Sequence, residues 1–294
     1  MLQKKAIVLM VIGEKYQKFF SYNKEKFILY AKKIDCDLIM CDRAPDKKNI
    51  RSLTHQKMLF PSIYNKYEWI ASLDIDMIIS KDAPSIFDCI HAEKGFGAYV
   101  IPRHSKKWRN SVKNLYSNSE EILKESHKSY FKIRNFPKFP KKTEIIASIN
   151  GGVMLFNTKK VSKIFRDAYY SNPIIQKKNS TTSYRFQDNT SYQGTEEAFL
   201  AYFSQKNNLF FSIPEKFNNI VFYNIFEDLK KPISQIHKST YFKFIRKIHN
   251  SYTIPNIFYP KIYKKFLSEQ LKKCYFLTFH GKFPYRGLNL KNEL

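Results

Sequence analysis

Apolar runs alternating with helical spacing fill the first quarter of the chain, and their order predicts an α/β sheet. "AIVLMVIG" (6–13) is a continuous apolar run closed by a glycine, the pattern of a buried strand entering a turn. Residues 16–33 change to a period near 3.6, with Phe20, Phe27 and Tyr30 on one face, which predicts a helix. "CDLIMCD" (36–42) reads as a second strand ending at Asp42. "RSLTHQKMLFPSIYNKY" (51–67) reads as a helix interrupted or ended near Pro61, and "EWIASLDID" (68–76) as a third strand. The order β–α–β–α–β implies parallel strands with helices on both faces, an architecture common among nucleotide-binding proteins.

Further along, "GFGAYVIP" (95–102) is another strand, and 103–147 is a long polar, basic excursion, helical in its middle. "SINGGVMLFNTKK" (148–160) reads as a strand preceded by two glycines, followed by the helix "VSKIFRDAYY" and a Ser/Thr/Asn-rich loop (171–194). "TEEAFLAYFSQK" is helical and "NLFFSIPEKFN" extended; residues 225–272 are basic and aromatic, and "CYFLTFHGKFPYRG" (274–287) is a strand running into a polar turn. No repeat or linker breaks the pattern, so 1–294 reads as a single domain with a decoration at 225–272.

The stretch "YEWIASLDIDMIIS" (67–80) sets Asp74 and Asp76 at the end of an apolar run with only Ile75 between them. Two like charges against a core repel, and each is costly to bury unpaired, so something positive should sit between them. Residues two apart on extended chain point to one side. At the C-terminal end of a parallel strand that side faces the crevice where open α/β sheets bind ligands. Paired carboxylates suit a hard divalent cation, Mn²⁺ or Mg²⁺, completed by water and substrate phosphates. Solvated loop acids are the alternative, and the apolar "MII" that follows argues against a floppy surface loop.

Composition adds one unusual feature. The 294 residues, 43% hydrophobic, suit one large α/β domain or two modest ones, but the formal net charge is +26, with 20 Tyr and 26 Phe. Such a surplus implies a polyanionic neighbour (nucleic acid, an anionic membrane face or phosphorylated substrates), or else a surface of solvated lysines. Cys36, Cys41, Cys89 and Cys274 are scattered without C-x-x-C spacing, as expected of reduced thiols in a cytoplasmic protein. The N-terminal apolar run is too short to span a bilayer and lacks a small-residue cleavage site, so it is a strand and not a signal peptide.

"YEWIASLDIDMIIS" resembles the D-x-D strand of GT-A glycosyltransferases, especially the retaining enzymes of family 8, the glycogenin and bacterial lipopolysaccharide galactosyltransferase group. Three more segments resemble that family in the same order: "INGGVMLFNTKKV" (149–161), its Phe-Asn-small-Gly-Val strand and following helix; "GTEEAFLAYF" (194–203), its acidic helix opening; and "FHGKFP" (279–284), its late His-Gly-Lys element. The chain departs from the family where Thr195 and Glu196 stand in place of Asp-Gln, and in the closer spacing of His, Gly and Lys. The resemblance implies a GT-A (Rossmann-like) fold: a mixed, mainly parallel sheet flanked by helices, with a basic aromatic C-terminal part. It also implies retaining hexosyl transfer from a UDP-sugar to a saccharide or lipid-linked acceptor in bacterial surface glycan synthesis.

On this resemblance Asp74, Asp76 and His280 hold the metal, while Gly281 lets backbone approach the diphosphate and Lys282 supplies a charge for it. Lys57, seventeen residues before Asp74, matches a basic position near the donor sugar and phosphates. Gly13, Tyr16 and Asp42, at the ends of the first two strands, would receive base and ribose, Tyr16 by stacking and Asp42 by a hydrogen bond. Asn150, Gly151 and Gly152 would border the donor sugar. Glu196 or Glu197 would orient the acceptor hydroxyl, stabilise a positively charged transition state or act as base. Side chains of successive helical residues diverge by about 100°, so one of the two glutamates is expected to face the site. Plainer readings are a solvated Lys57, a strand-entry turn at the glycines and a glutamate pair favouring the helix dipole.

"STYFKFIRKIHNSYTIPNIFYPKIYKKF" (239–266) interleaves aromatic and basic residues, as a surface resting on the anionic inner face of a membrane would, or as a packed core with a charged exterior. Two rival functions compete. A basic nucleic-acid-binding protein would fit the charge, but no zinc finger, RNP-type segment or basic heptad supports it, so no nucleic acid is expected as partner. A nucleotidyltransferase would also use paired aspartates, but it would show a Gly-rich phosphate loop where "VIGEKY" has one glycine. A catalytically inactive carbohydrate-binding scaffold is a third reading.

Overall fold

A computed structural model describes residues 4–48, 51–101, 127–132, 136–171, 196–220 and 268–278. The chain opens with β1 (Lys5–Met10), α1 (Glu14–Lys33) and β2 (Asp37–Cys41). Gly13 enters α1 at φ +88°, a conformation that favours glycine. Phe20, Phe27 and Tyr30 are buried as their spacing predicts, and Glu14 at the start with Lys32 and Lys33 at the end suits the helix dipole.

Residues 51–67 depart from the single interrupted helix. A 3₁₀ turn, His55–Leu59, runs into a short helix α2 (Phe60–Ile63), and Pro61 lies in the first turn of α2 instead of ending a helix. Proline lacks an N–H that a first helical turn leaves unpaired anyway, so it starts the turn without penalty. Then come β3 (Trp69–Leu73), β4 (Met77–Ile79), β5 (Phe96–Val100), a helical segment α3 over 127–132, β6 (Ile149–Asn157), α4 (Thr158–Ser171), α5 (Glu196–Lys206), β7 (Phe210–Ser212), β8 (Asn219–Ile220) and β9 (Phe276–Thr278).

The main sheet has the order β2-β1-β3-β6-β5-β7, with β6 antiparallel to both its neighbours and the remaining pairs parallel. A smaller sheet, β4-β9-β8, takes over where β3 ends. Alternation along β1 divides the core: Ala6 and Val8 face a cluster covered by α4 and α5, while Ile7 and Leu9 face one covered by α1. This is the mixed, mainly parallel sheet flanked by helices that the sequence predicts. Among the described residues no helix is long and apolar enough to cross a membrane.

Candidate functional site

The C-terminal ends of β1, β2 and β3 share one edge of the sheet, and β3 stops there at Leu73. Asp74, Ile75 and Asp76 form a bend between β3 and β4. The aspartates are therefore a corner joining the two sheets and not the last residues of one extended strand, as the 68–76 reading had it. A corner leaves carbonyls without strand partners, and Asn23 of α1 supplies them. Its buried Nδ2 donates to Ile75 O at 3.1 Å and Met77 O at 2.8 Å. Ile75 itself enters the core under α1, and Asp76 is buried.

Register brings the second motif to the first. The β3–β6 ladder pairs Leu73 with Val153, and one step further Asp74 N donates to Gly152 O at 2.8 Å. On the other side, β5 pairs Ala98 with Met154 and then Tyr99 with Asn150, so Gly151–Val153 are skipped in a bulge. The glycines lie inside β6, not before it, and their backbone is free to bond elsewhere.

A positive partner of Asp74, though not one shown between the two aspartates, is in the chain itself. Lys57, on the 3₁₀ turn, is 5% exposed, and its Nζ donates to Asp74 Oδ1 at 2.5 Å and reaches Gly151 O at 3.5 Å. The loop that carries it is anchored next door: Gln56 Oε1 accepts from Asp46 N at 2.8 Å, and Gln56 Nε2 donates to Arg51 O at 3.1 Å. Tyr169 of α4 donates to Asp46 Oδ2 at 3.0 Å and stacks under the Arg51 guanidinium.

Both glutamates at the start of α5 reach this point. Gly151 N donates to Glu197 Oε1 at 2.7 Å, and Glu196 is buried and hydrogen-bonded to the Thr54 side chain. A Cβ at Gly151 would lie 3.1 Å from Glu197 Cγ and 3.7 Å from Glu196 Oε1. The side chains diverge at their roots, yet the Glu197 carboxylate and Glu196 Oε1 both lie near Gly151. Burial disfavours the Lys57 charge, yet Asp74, Glu196 and Glu197 outweigh it and hold the ammonium above its ordinary range. Burial raises the Glu196 carboxyl above the usual carboxylate range, with Lys57 and the Thr54 bond opposing.

A polar chain runs from the glycines to the small sheet. Asn150 Oδ1 accepts from Gly152 N at 2.9 Å and from Asn218 Nδ2 at 2.7 Å, and Asn218 Oδ1 accepts from the Thr278 hydroxyl at 3.0 Å.

The structure thus brings together Lys57, Asp74, Asn150, Gly151, Gly152, Glu196 and Glu197, with Ile75 and Asp76 on the adjoining bend. Gly13, the half-exposed Tyr16 and the exposed Asp42 share the sheet edge. His280, Gly281 and Lys282 lie outside the described residues, as does all of 225–272 before residue 268. Sequence reasoning missed Asn23, Thr54, Asn218 and Thr278. Only Asn23 carried a signal, an amide in a helix interior where asparagine is unfavourable.

No protein-family model matches the chain, and no curated protein matches it in sequence. Solved structures do resemble it. The bifunctional glycosyltransferase WbbM superposes on 95% of this chain and 46% of its own, with 10% identity and a TM-score of 0.50. The fold is of the GT-A glycosyltransferase type. GlyE of Streptococcus pneumoniae TIGR4 matches 94% of this chain and 54% of its own, at 12% identity and a TM-score of 0.46. An active-site mutant of LgtC matches 76% of this chain and 77% of its own, at 12% identity and a TM-score of 0.45. The chain spans about half the length of WbbM and of GlyE.

Proposed function

We propose that the protein is a metal-dependent glycosyltransferase that moves a sugar from a UDP-sugar to a saccharide or lipid-linked acceptor in bacterial surface glycan synthesis. The observation that carries this is the convergence of Asp74, the buried Lys57, Gly151 and the two glutamates at the C-terminal edge of a GT-A-type sheet. Ligands of open α/β sheets bind at that edge. The family 8 resemblance adds retention of anomeric configuration and His280 as a third metal ligand. It also adds a nucleotide end at Gly13, Tyr16 and Asp42, diphosphate contacts from Gly281 and Lys282, and peripheral attachment of 225–272 to an anionic membrane face.

Among the described residues no group of three His, Cys, Asp or Glu side chains is placed to hold a metal ion, so the dication of this reading would rest on Asp74 and Asp76, with His280 added by the resemblance. Asp74, Glu196 and Glu197 act on a single ammonium, and Asp76 stands two residues from Asp74. Carboxylate oxygens in such excess are the ligands that Mn²⁺ or Mg²⁺ takes. Asp74 and Asp76 would hold it, and when bound it supplies the Lewis acidity that offsets charge growing on the departing diphosphate. Lys57, fixed by its ion pair, places a second positive charge beside Asp74. The Glu197 carboxylate, oriented by Gly151 N, stands ready to position an acceptor hydroxyl. Glu196, with its raised carboxyl, can keep a proton that an exposed glutamate would lose.

A thermal-shift panel of UDP, GDP, CMP and their sugars, with and without Mn²⁺, tests the reading. A UDP ligand should stabilise the protein only with the metal, and Asp76→Ala should abolish the effect. Equal shifts in the presence of EDTA would refute it.

A further inference from the structure

Asn150 presents its amide in one direction only: Gly152 of the same motif sets it, and two residues outside the motifs hold it there. A side-chain amide has an accepting and a donating half, and its partners decide which faces where. Gly152 N is a backbone donor and cannot reverse its role. Its 2.9 Å bond therefore fixes Oδ1 as the inward half of Asn150. The second group on that oxygen, Asn218 at 2.7 Å, must then offer its own Nδ2, leaving its Oδ1 to accept from Thr278 at 3.0 Å. Every member of the chain is buried: Asn150 is 3% exposed, Asn218 0% and Thr278 2%. Space for it exists because position 152 has no side chain. A Cβ there would lie 2.9 Å from Asn150 Oδ1, 3.2 Å from Asn218 Oδ1 and 3.3 Å from Thr278 Cγ2.

We propose that Asn218 and Thr278 are positioning residues that lock Asn150 with its amino group toward the donor sugar, so that the enzyme reads an acceptor oxygen at that point of the sugar. The inference rests on the glycosyltransferase reading above. Asn218 and Thr278 come from the edge of β8 and from β9, so the smaller sheet serves to orient a residue of the larger one. The Glu197 carboxylate next to Gly151 is an acceptor, so the two sides of the glycine pair present opposite hydrogen-bond polarity to a sugar.

The test separates the sugar from the nucleotide. Affinities for UDP, UDP-glucose, UDP-galactose and UDP-N-acetylglucosamine are measured by calorimetry with Mn²⁺, and the gain of the best UDP-sugar over UDP is the readout. Asn218→Asp replaces the donor facing Asn150 Oδ1 by an acceptor and favours the reversed amide. It should cut the sugar-dependent gain roughly tenfold, the scale of one hydrogen bond lost and one repulsion added, and leave UDP affinity within about twofold. Thr278→Val should cut the gain by a smaller factor, and Thr278→Ser, which keeps the hydroxyl, should restore it. If Asn218→Asp does not fold, the Thr278 pair decides. A gain unchanged in Asn218→Asp, or in Thr278→Val, overturns the proposal, and so does a parallel loss of UDP and UDP-sugar affinity, which marks a merely structural role. A wild-type protein that binds none of the UDP ligands overturns the glycosyltransferase reading itself.

Discussion

Replacing Lys57 by Met keeps the length of the side chain and removes its charge, which isolates the electrostatic role of the lysine. The ammonium contacts Asp74 at 2.5 Å and is held above its ordinary range by Asp74, Glu196 and Glu197 together. Removing one partner of a buried ion pair costs about 3–5 kcal/mol, because the remaining charge is left uncompensated. The low end applies here. The Asp74 side chain is 35% exposed and can be rehydrated, and Glu196 can bind a proton. A loss of about 3 kcal/mol lowers the melting temperature of a domain this large by roughly 6–12 °C. The pH dependence has a definite sign. A raised lysine contributes stability that is complete below its unfolded pKa of about 10.4, so its contribution is constant through the neutral range. The variant's deficit is therefore expected to stay level from about pH 6 to about pH 8. Differential scanning fluorimetry across that range measures it, and Lys57→Met combined with Asp74→Asn should recover part of the loss. A melting temperature within about 1 °C of wild type near pH 8 would refute the buried-pair argument.

Asn23→Leu deletes both bonds to the corner carbonyls and should cost about 1–3 kcal/mol in urea unfolding, with weaker Mn²⁺-dependent UDP binding; unchanged values in both assays would remove Asn23 from the site's support. Glu196→Gln tests the raised carboxyl, whose charged form the fold disfavours. The stabilising effect of a raised acid is complete below the ordinary glutamate pKa of about 4.3 and is lost as the pH rises through the folded value. The glutamine variant should therefore gain on wild type as the pH rises above about 4, and an opposite slope in paired unfolding curves would contradict the assignment.

Periodicity and apolar runs carried the fold, because α1 and α4 each bury one face at helical spacing and β1 is buried as a continuous run. The D-x-D and Asn-Gly-Gly motifs stood out as site candidates by residue type, but their adjacency was not legible. It arises from an antiparallel register that sets Asp74 against Gly152 across 78 residues of chain. The corner at Asp74–Asp76 was read as strand because Ile75 and "MII" continue the apolar pattern, and burial alone does not distinguish a strand from a bend held by an asparagine elsewhere. Asn218 and Thr278 gave no signal. Their role depends on a hydrogen-bond chain spanning 60 residues, and no spacing rule connects them.

The acidic character of the site runs against the chain as a whole, and the contrast separates two jobs. A formal charge of +26 attracts anions at long range, a steering effect that salt screens over about 8–10 Å. Near Asp74 the balance reverses, and a diphosphate arriving there meets more carboxylate than ammonium. On the proposed reading, the grip on the donor would come at short range, from a cation held by Asp74 and Asp76 and from Gly281 and Lys282. Lys57 holds those acids in place before any cation arrives: its ion pair keeps Asp74 from turning toward solvent, and its reach to Gly151 O keeps the β6 bulge beside it. Salt should then slow association of a UDP-sugar while leaving its Mn²⁺ requirement intact, because the two effects arise from different sets of charges.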